Sequence, residues 1–354
     1  MTKTIAIFST KGGVGKTFIA SNLAVALGQE EAKKILLLDL DLQVVGDMEK
    51  MLGLSPHRSM VDFSDALLGR SNLSPKEDFL IHTKLGIDFL PGVLKPQQAP
   101  HIDPDKIKDI FTLFKKDYDF IVVDAGKIIN EVLLQVLNQA NLILLVLTPD
   151  ILAIYQTKWA LDTLQSLHFP LSMVRIVLNR AASVSSISWQ EIRVSLPVSI
   201  IAQVPSEGRI VGDAINRGIP VVIDSPKTKI AFSIKKLAHE LVTEEDLFIE
   251  HREIEDLQLK EGLVDRPDEF WQRQELSEPS PEAGAAPEKI DNIVLLKRKI
   301  NSRLIEGMNL KKLDLKVFSD PRKTKELRQK AESTVTNLLA EEAGTLIPSL
   351  EMRK

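Results

Sequence analysis

The chain has 354 residues, 44% of them hydrophobic and 27% charged. That is enough apolar material for a sizeable core and too much for wholesale disorder. A formal net charge of −4 gives no global attraction to nucleic acid or anionic lipid, so either partner would need a local basic patch. The absence of cysteine excludes disulfides, thiolate metal sites and cysteine nucleophiles together, and the six histidines are scattered, with no pair at ligand spacing on one helix face.

The apolar stretch at Ile5–Phe8 is much shorter than a signal-peptide core, and no run approaches the roughly 20 residues that span a bilayer. A cytoplasmic protein is the expectation. From there, short runs dense in branched apolar residues recur at Ile5–Phe8, Ile35–Leu38, Ile87–Leu90, Phe120–Val123, Leu142–Leu147 and Val174–Leu178, with a weaker one at Val198–Ala202. Near-continuous apolar strands suit a sheet buried on both faces. The segments between them read as helices at Lys16–Leu27, Pro104–Lys116, Ile128–Gln139 and Leu152–Leu167, with a last one from about Lys227 to Val242. This alternation predicts an α/β fold with a doubly wound, mostly parallel sheet over residues 1–242.

Composition changes after Val242. Residues 243–290 open with an acidic stretch and continue through a segment rich in Pro, Glu and Ala, with little to bury, and read as a linker. Downstream, Ile293, Leu296, Ile300 and Leu304 fall at helical spacing. Asp320 and Pro321 mark the start of a second helix carrying Leu327, Ala331, Val335 and Leu338 on one face. Residues 291–354 are expected to form a small basic helical module.

The sequence Lys11-Gly12-Gly13-Val14-Gly15-Lys16-Thr17 follows the first expected strand and opens the first expected helix, the context that a phosphate-binding P-loop requires. Glycines let the backbone curl so that its N–H groups face phosphate oxygens, and the helix N-terminus adds partial positive charge. Lys16 is placed to reach the β and γ phosphates and Thr17 to offer its hydroxyl to Mg²⁺. Asp124, at the end of Phe120-Ile-Val-Val-Asp124-Ala-Gly126, supplies a carboxylate for that metal, and Gly126 lets the next loop approach the γ phosphate.

The lysine before the glycines, Lys11, resembles the deviant Walker A motif of the ParA/MinD class of ATPases. The resemblance covers roughly residues 1–242. It implies that ATP and Mg²⁺ bind, that ATP favours a homodimer, and that Lys11 reaches across the dimer to the partner's nucleotide. It also implies that Asp41, in Asp39-Leu40-Asp41, helps to position the attacking water, that Asp39 sits near the metal, and that Asn179 meets the adenine edge. Hydrolysis is then a matter of positioning water and neutralising charge with Lys16, Mg²⁺ and the partner's Lys11, and is expected to be slow.

Within the class, Asp39-Leu-Asp-Leu-Gln43-Val-Val-Gly46-Asp47 and Ala214-Ile-Asn216-Arg217-Gly218-Ile-Pro220 are similar to the CpaE/TadZ branch, associated with Tad-type pilus assembly and secretion. The tail from Leu296 to Glu342 resembles the N-terminal helical domain of CpaF-type secretion ATPases. These likenesses imply a switch that positions or regulates a pilus or secretion machine, docking through the C-terminal module and reaching the inner face of the membrane through a protein partner. The alternatives are a ParA-like partitioning ATPase that binds DNA nonspecifically and a nucleotide-binding scaffold without catalysis. The last residues, with Pro348 and few apolar positions, do not read as a lipid-inserting helix. Departures from the class pattern are Phe18 after the loop, Leu42 after the second switch aspartate and the missing Pro after Asp124.

Overall fold

The computed structural model describes residues 2–30, 33–67, 78–181 and 187–250. The expected helical module, and the linker beyond residue 250, lie outside the described residues. Within them, eight strands form one sheet in the order β3-β4-β2-β5-β1-β6-β7-β8. The strands are β1 (Lys3–Phe8), β2 (Ile35–Asp39), β3 (Ile81–His82), β4 (Asp88–Pro91), β5 (Phe120–Asp124), β6 (Leu142–Leu147), β7 (Val174–Asn179) and β8 (Ile200–Val204). Every pairing is parallel except β3 with β4. The helices are α1 (Lys16–Gln29), α2 (Asp47–Leu52), α3 (Met60–Leu67), α4 (Pro104–Phe114), α5 (Glu131–Gln139), α6 (Ile151–Ser166), α7 (Trp189–Ser195), α8 (Gly208–Arg217), α9 (Val221–Asp224) and α10 (Lys229–Thr243).

The expected α/β fold is therefore present, and its physical basis is visible in β2, β5 and β6, which are buried along their whole length. Only a sheet covered on both faces gives strands without a solvated side. Helix α1 is buried almost all round, with Ile19, Ala20, Leu23, Ala24, Val25 and Leu27 at most 1% exposed. Its outer side meets Ile230, Ile234, Leu237 and Leu241 of α10 in the same core. Asn22 ties this layer together, its amide donating to Phe18 O at 2.9 Å and its Oδ1 accepting from Val222 N at 3.2 Å.

Three boundaries differ from expectation. Helix α5 begins at Glu131 rather than Ile128 because the Asn130 side chain caps it, accepting from Leu133 N at 2.9 Å, as N-cap residues do. Strand β8 runs from Ile200 to Val204 rather than from Val198 to Ala202. The packed region also runs on past Val242. Asn141 accepts from Thr4 N at 2.8 Å and donates to Ile249 O at 2.9 Å, while Phe248 lies 6.1 Å from the Phe120 ring, so the start of the acidic segment closes the lower edge of the sheet.

The C-terminal ends of α2 and α8 meet backbone to backbone. Gly53 and Gly218 both take left-handed conformations as helix C-caps, with φ of 65° and 66°. A Cβ on Gly53 would lie 2.7 Å from Gly218 O, and one on Gly218 would lie 2.8 Å from Gly53 Cα. Only glycine meets both demands, the torsion and the closeness. No helix among the described residues is long and apolar enough to cross a membrane.

Candidate functional site

Strand β1 is central, and the loop after it, Ser9 to Gly15, opens at the carboxyl edge of the sheet, where ligands bind in folds of this kind. Gly12 and Gly13 face solvent, whereas Val14 and Lys16 are buried. Gly15 caps α1 at φ 95°, ψ 29°, a conformation that L side chains rarely adopt, and a side chain there would collide with the Asn179 amide. The loop therefore needs glycine at this position twice over.

Lys16 is 6% exposed, and its Nζ lies 4.0 Å from Asp41 Oδ2, itself 7% exposed. Strands β2 and β5 pair so that Asp39 faces Asp124 in register, and both carboxylates are buried. Asp39 Oδ1 accepts from Asp41 N at 3.1 Å, which fixes the turn after β2. Thr17 lies close enough to Asp124 to favour its ionised form, while Asp124 Oδ2 is buried without a partner. Gly126 is flush against the aspartate at the head of the other loop, for a Cβ on it would be 3.1 Å from Asp41 Oδ1. The structure thus brings Lys16, Thr17, Asp39, Asp41 and Asp124 to one place.

Crowding of like charges has an electrostatic cost. Burial pushes the Asp124 carboxyl up to about 6; Thr17, Lys16 and the Gly126 amide oppose the shift, and Asp41 adds to it. Burial, Asp124 and Glu49 together hold Asp39 well above the usual carboxylate range. These are the terms by which desolvation and neighbouring anions disfavour ionisation. An added cation would relieve all of them, and the orphaned Asp124 oxygen beside the Thr17 hydroxyl is an acceptor of the hard-oxygen kind that Mg²⁺ takes. Among the described residues no cluster of three His, Asp or Glu side chains could hold a metal alone. The donor set suits a cation held jointly by Thr17, Asp124, phosphate oxygens and water.

Lys11 stands apart from this group. Its Nζ donates to both oxygens of Asp150, at 2.7 and 2.8 Å, and the pair is partly open to solvent, at 29% and 41%. Burial alone would raise Asp150, but bonds from Lys11, Thr148 and Ala153 N hold it below the usual range. Asp150 also caps α6, accepting from Ala153 N at 3.0 Å. An open cleft lined by Lys11 to Val14, Thr148 to Asp150 and Arg180 lies beside this pair.

Three residues here were invisible to sequence reasoning in these roles. Asp150 reads only as a helix cap, and nothing local links it to Lys11. Glu49 on α2 is 6% exposed with Oε2 unpartnered, its pKa raised by burial and by Asp47; the one signal was an acid at a position flanked by the buried Met48 and Leu52. Asn179, expected to read the base, has a bracing role as well: its Nδ2 donates to Val14 O at 2.7 Å and its Oδ1 accepts from Arg180 N at 2.9 Å.

A family model described as an AAA domain matches residues 2–171. The septum site-determining protein MinD of Thermotoga maritima is 26% identical over 278 residues, 77% of this chain and 98% of the relative. The MinD of Pyrococcus horikoshii, solved with Mg-ADP, superposes with a TM-score of 0.60 at 28% identity, covering 69% of this chain and 97% of that one. A ParA family ATPase from Chlorobium tepidum gives 0.63 at 27% identity, covering 68% and 98%. With the glycine loop on β1, the buried lysine and the carboxylates that end β2 and β5, the chain is similar to P-loop ATPases of the ParA/MinD type.

Proposed function

We propose that the chain is an ATP-driven dimerising switch whose two loop lysines have separate tasks. The observation that carries this reading is the contrast between Lys16, buried against Asp41, and Lys11, held by the half-open Asp150 at the rim. Lys16 binds the β and γ phosphates from within. Thr17 and Asp124 hold the metal, with Asp39 behind them. Mg²⁺, when bound, neutralises phosphate charge and orients the phosphate oxygens. Asp41, buried beside Lys16, orients the attacking water. Lys11 leaves Asp150 for the nucleotide of a second copy, so that the ATP state is a homodimer and hydrolysis releases it.

The cellular task favoured by the sequence is regulation of a Tad-type pilus or secretion machine, through residues 291–354. The partitioning alternative differs in requiring ATP-dependent, salt-sensitive DNA binding. The test of the switch is solution mass with ATP and Mg²⁺ against ADP, for the native chain and Lys11→Ala. A dimer seen only for the native chain with ATP supports it. A mass that ignores nucleotide, although nucleotide binds, rejects it.

A further inference from the structure

The loop after β5 carries a third lysine, Lys127, which the reading above leaves without a task. It is half-buried, follows Gly126 directly and lies over the phosphate loop: a Cβ on Gly12 would stand 3.8 Å from Lys127 Nζ and 3.9 Å from its Cδ. Lys127 lines the same cleft as Asp41, Gln43 and Asn130. The other two lysines of the site are committed, Lys11 to Asp150 and Lys16 to Asp41. Among the described residues no hydrogen bond or ion pair engages the Lys127 ammonium.

We propose that Lys127 is a further phosphate-contacting residue, which meets the terminal phosphate of ATP from its own chain. The geometry favours that phosphate over the inner ones. The N-terminus of α1 holds the downstream end of the loop, where the inner phosphates lie, and Lys16 reaches from there to the β and γ phosphates. Lys127 hangs over the upstream end, on the side where Gly126 touches Asp41. A compact ammonium on a flexible stem is a common phosphate ligand. Its carrier loop begins at Asp124, so the carboxylate that holds the metal and the cation that meets the last phosphate are separated by Ala125 and Gly126 only. Lys127 therefore serves the recognition of ATP over ADP, because ADP lacks the group that it contacts.

The inference rests on the ATP reading of the loop, and the experiment separates the two. Calorimetric titration of the full chain with Mg²⁺ and either a non-hydrolysable ATP analogue or ADP is run for the native protein, Lys127→Met and Lys127→Arg. Loss of one charge-assisted contact predicts that Lys127→Met weakens the analogue about 10-fold and leaves ADP within about 2-fold, with Lys127→Arg close to native. Unchanged analogue affinity in Lys127→Met, or equal weakening of both nucleotides, overturns the assignment while the ATP reading stands. A native chain that binds neither nucleotide removes the ATP reading and this one with it. The thermal midpoint of Lys127→Met is expected to match the native one, since methionine keeps most of the apolar stem.

Discussion

The two ends of the phosphate loop carry the same residue type in opposite environments. At the downstream end Lys16 is sealed beneath the loop with Asp41, and both Asp39 and Asp124 crowd the same space. At the upstream end Lys11 forms a tighter pair by distance, 2.7 Å against 4.0 Å, yet one open to water. A short, half-exposed pair is worth little, because solvent already satisfies both charges. A longer, buried one is costly to break, because a charge is left stranded. Distance alone would rank them the wrong way round: the contrast assigns a fixed cation to one end of the loop and a movable one to the other.

The largest effect should come from the sealed end. Lys16→Ala removes the cation among three buried carboxylates, and nucleotide affinity is expected to fall about 100-fold or more. Titration with ATP and Mg²⁺ measures it, and an affinity within about 10-fold of native would show that the buried lysine is not the phosphate ligand.

Asp124 gives an intermediate effect with a pH signature. Its carboxyl stands at about 6 in the folded chain against 3.8 when unperturbed. The folded state therefore holds the proton more tightly, and this group's contribution is most favourable below about pH 4, falls as pH rises to about 6 and levels off above it. In Asp124→Asn the nucleotide-free chain is expected to be roughly 1–3 kcal/mol more stable at pH 7, with little difference from native at pH 4. Its Mg²⁺-dependent nucleotide binding should weaken. Thermal melts from pH 4 to 7 without nucleotide make the comparison; equal midpoints at pH 7 would mean that the carboxylate is already relieved within the protein.

The smallest effect belongs to the open end. Asp150→Asn keeps a side-chain oxygen to cap α6 but removes the charge that holds Lys11. Stability should change by less than about 1 kcal/mol. The ATP concentration that half-saturates dimer formation should fall about 2- to 5-fold, as Lys11 no longer leaves an anion in order to cross. Light scattering against ATP concentration reads this, and an increase instead would mean that Asp150 helps the dimer rather than restraining it.

Much of this was legible because the signals are local. The runs at Ile35–Leu38, Phe120–Val123 and Leu142–Leu147 announce buried parallel strands by having no polar face, and the glycines with Lys16 and Thr17 announce the loop by spacing. What was not legible depends on contacts remote in sequence. Strand β3 is only Ile81–His82, too short for any period, and exists because β4 offers it an edge. Lys11 and Asp150 are 139 residues apart, and Lys127 meets the phosphate loop only when its own loop folds over Gly12. Helix α1 shows the converse: its apolar residues lie all round, so periodicity says little about which face is covered, and α10 from the far end of the domain supplies the missing cover.

The meeting of Gly53 and Gly218 bears on how a change at the nucleotide would travel. Asp41 and α2 lie on one continuous stretch of chain, and α2 ends on α8 with no side chain between them to bend or change rotamer. A joint of bare backbone has no slack: a push on α2 toward α8 is passed on whole or resisted whole. Filling it with a methyl group at either glycine would act as a wedge, prising the two helix ends apart while leaving every residue of the phosphate loop in place.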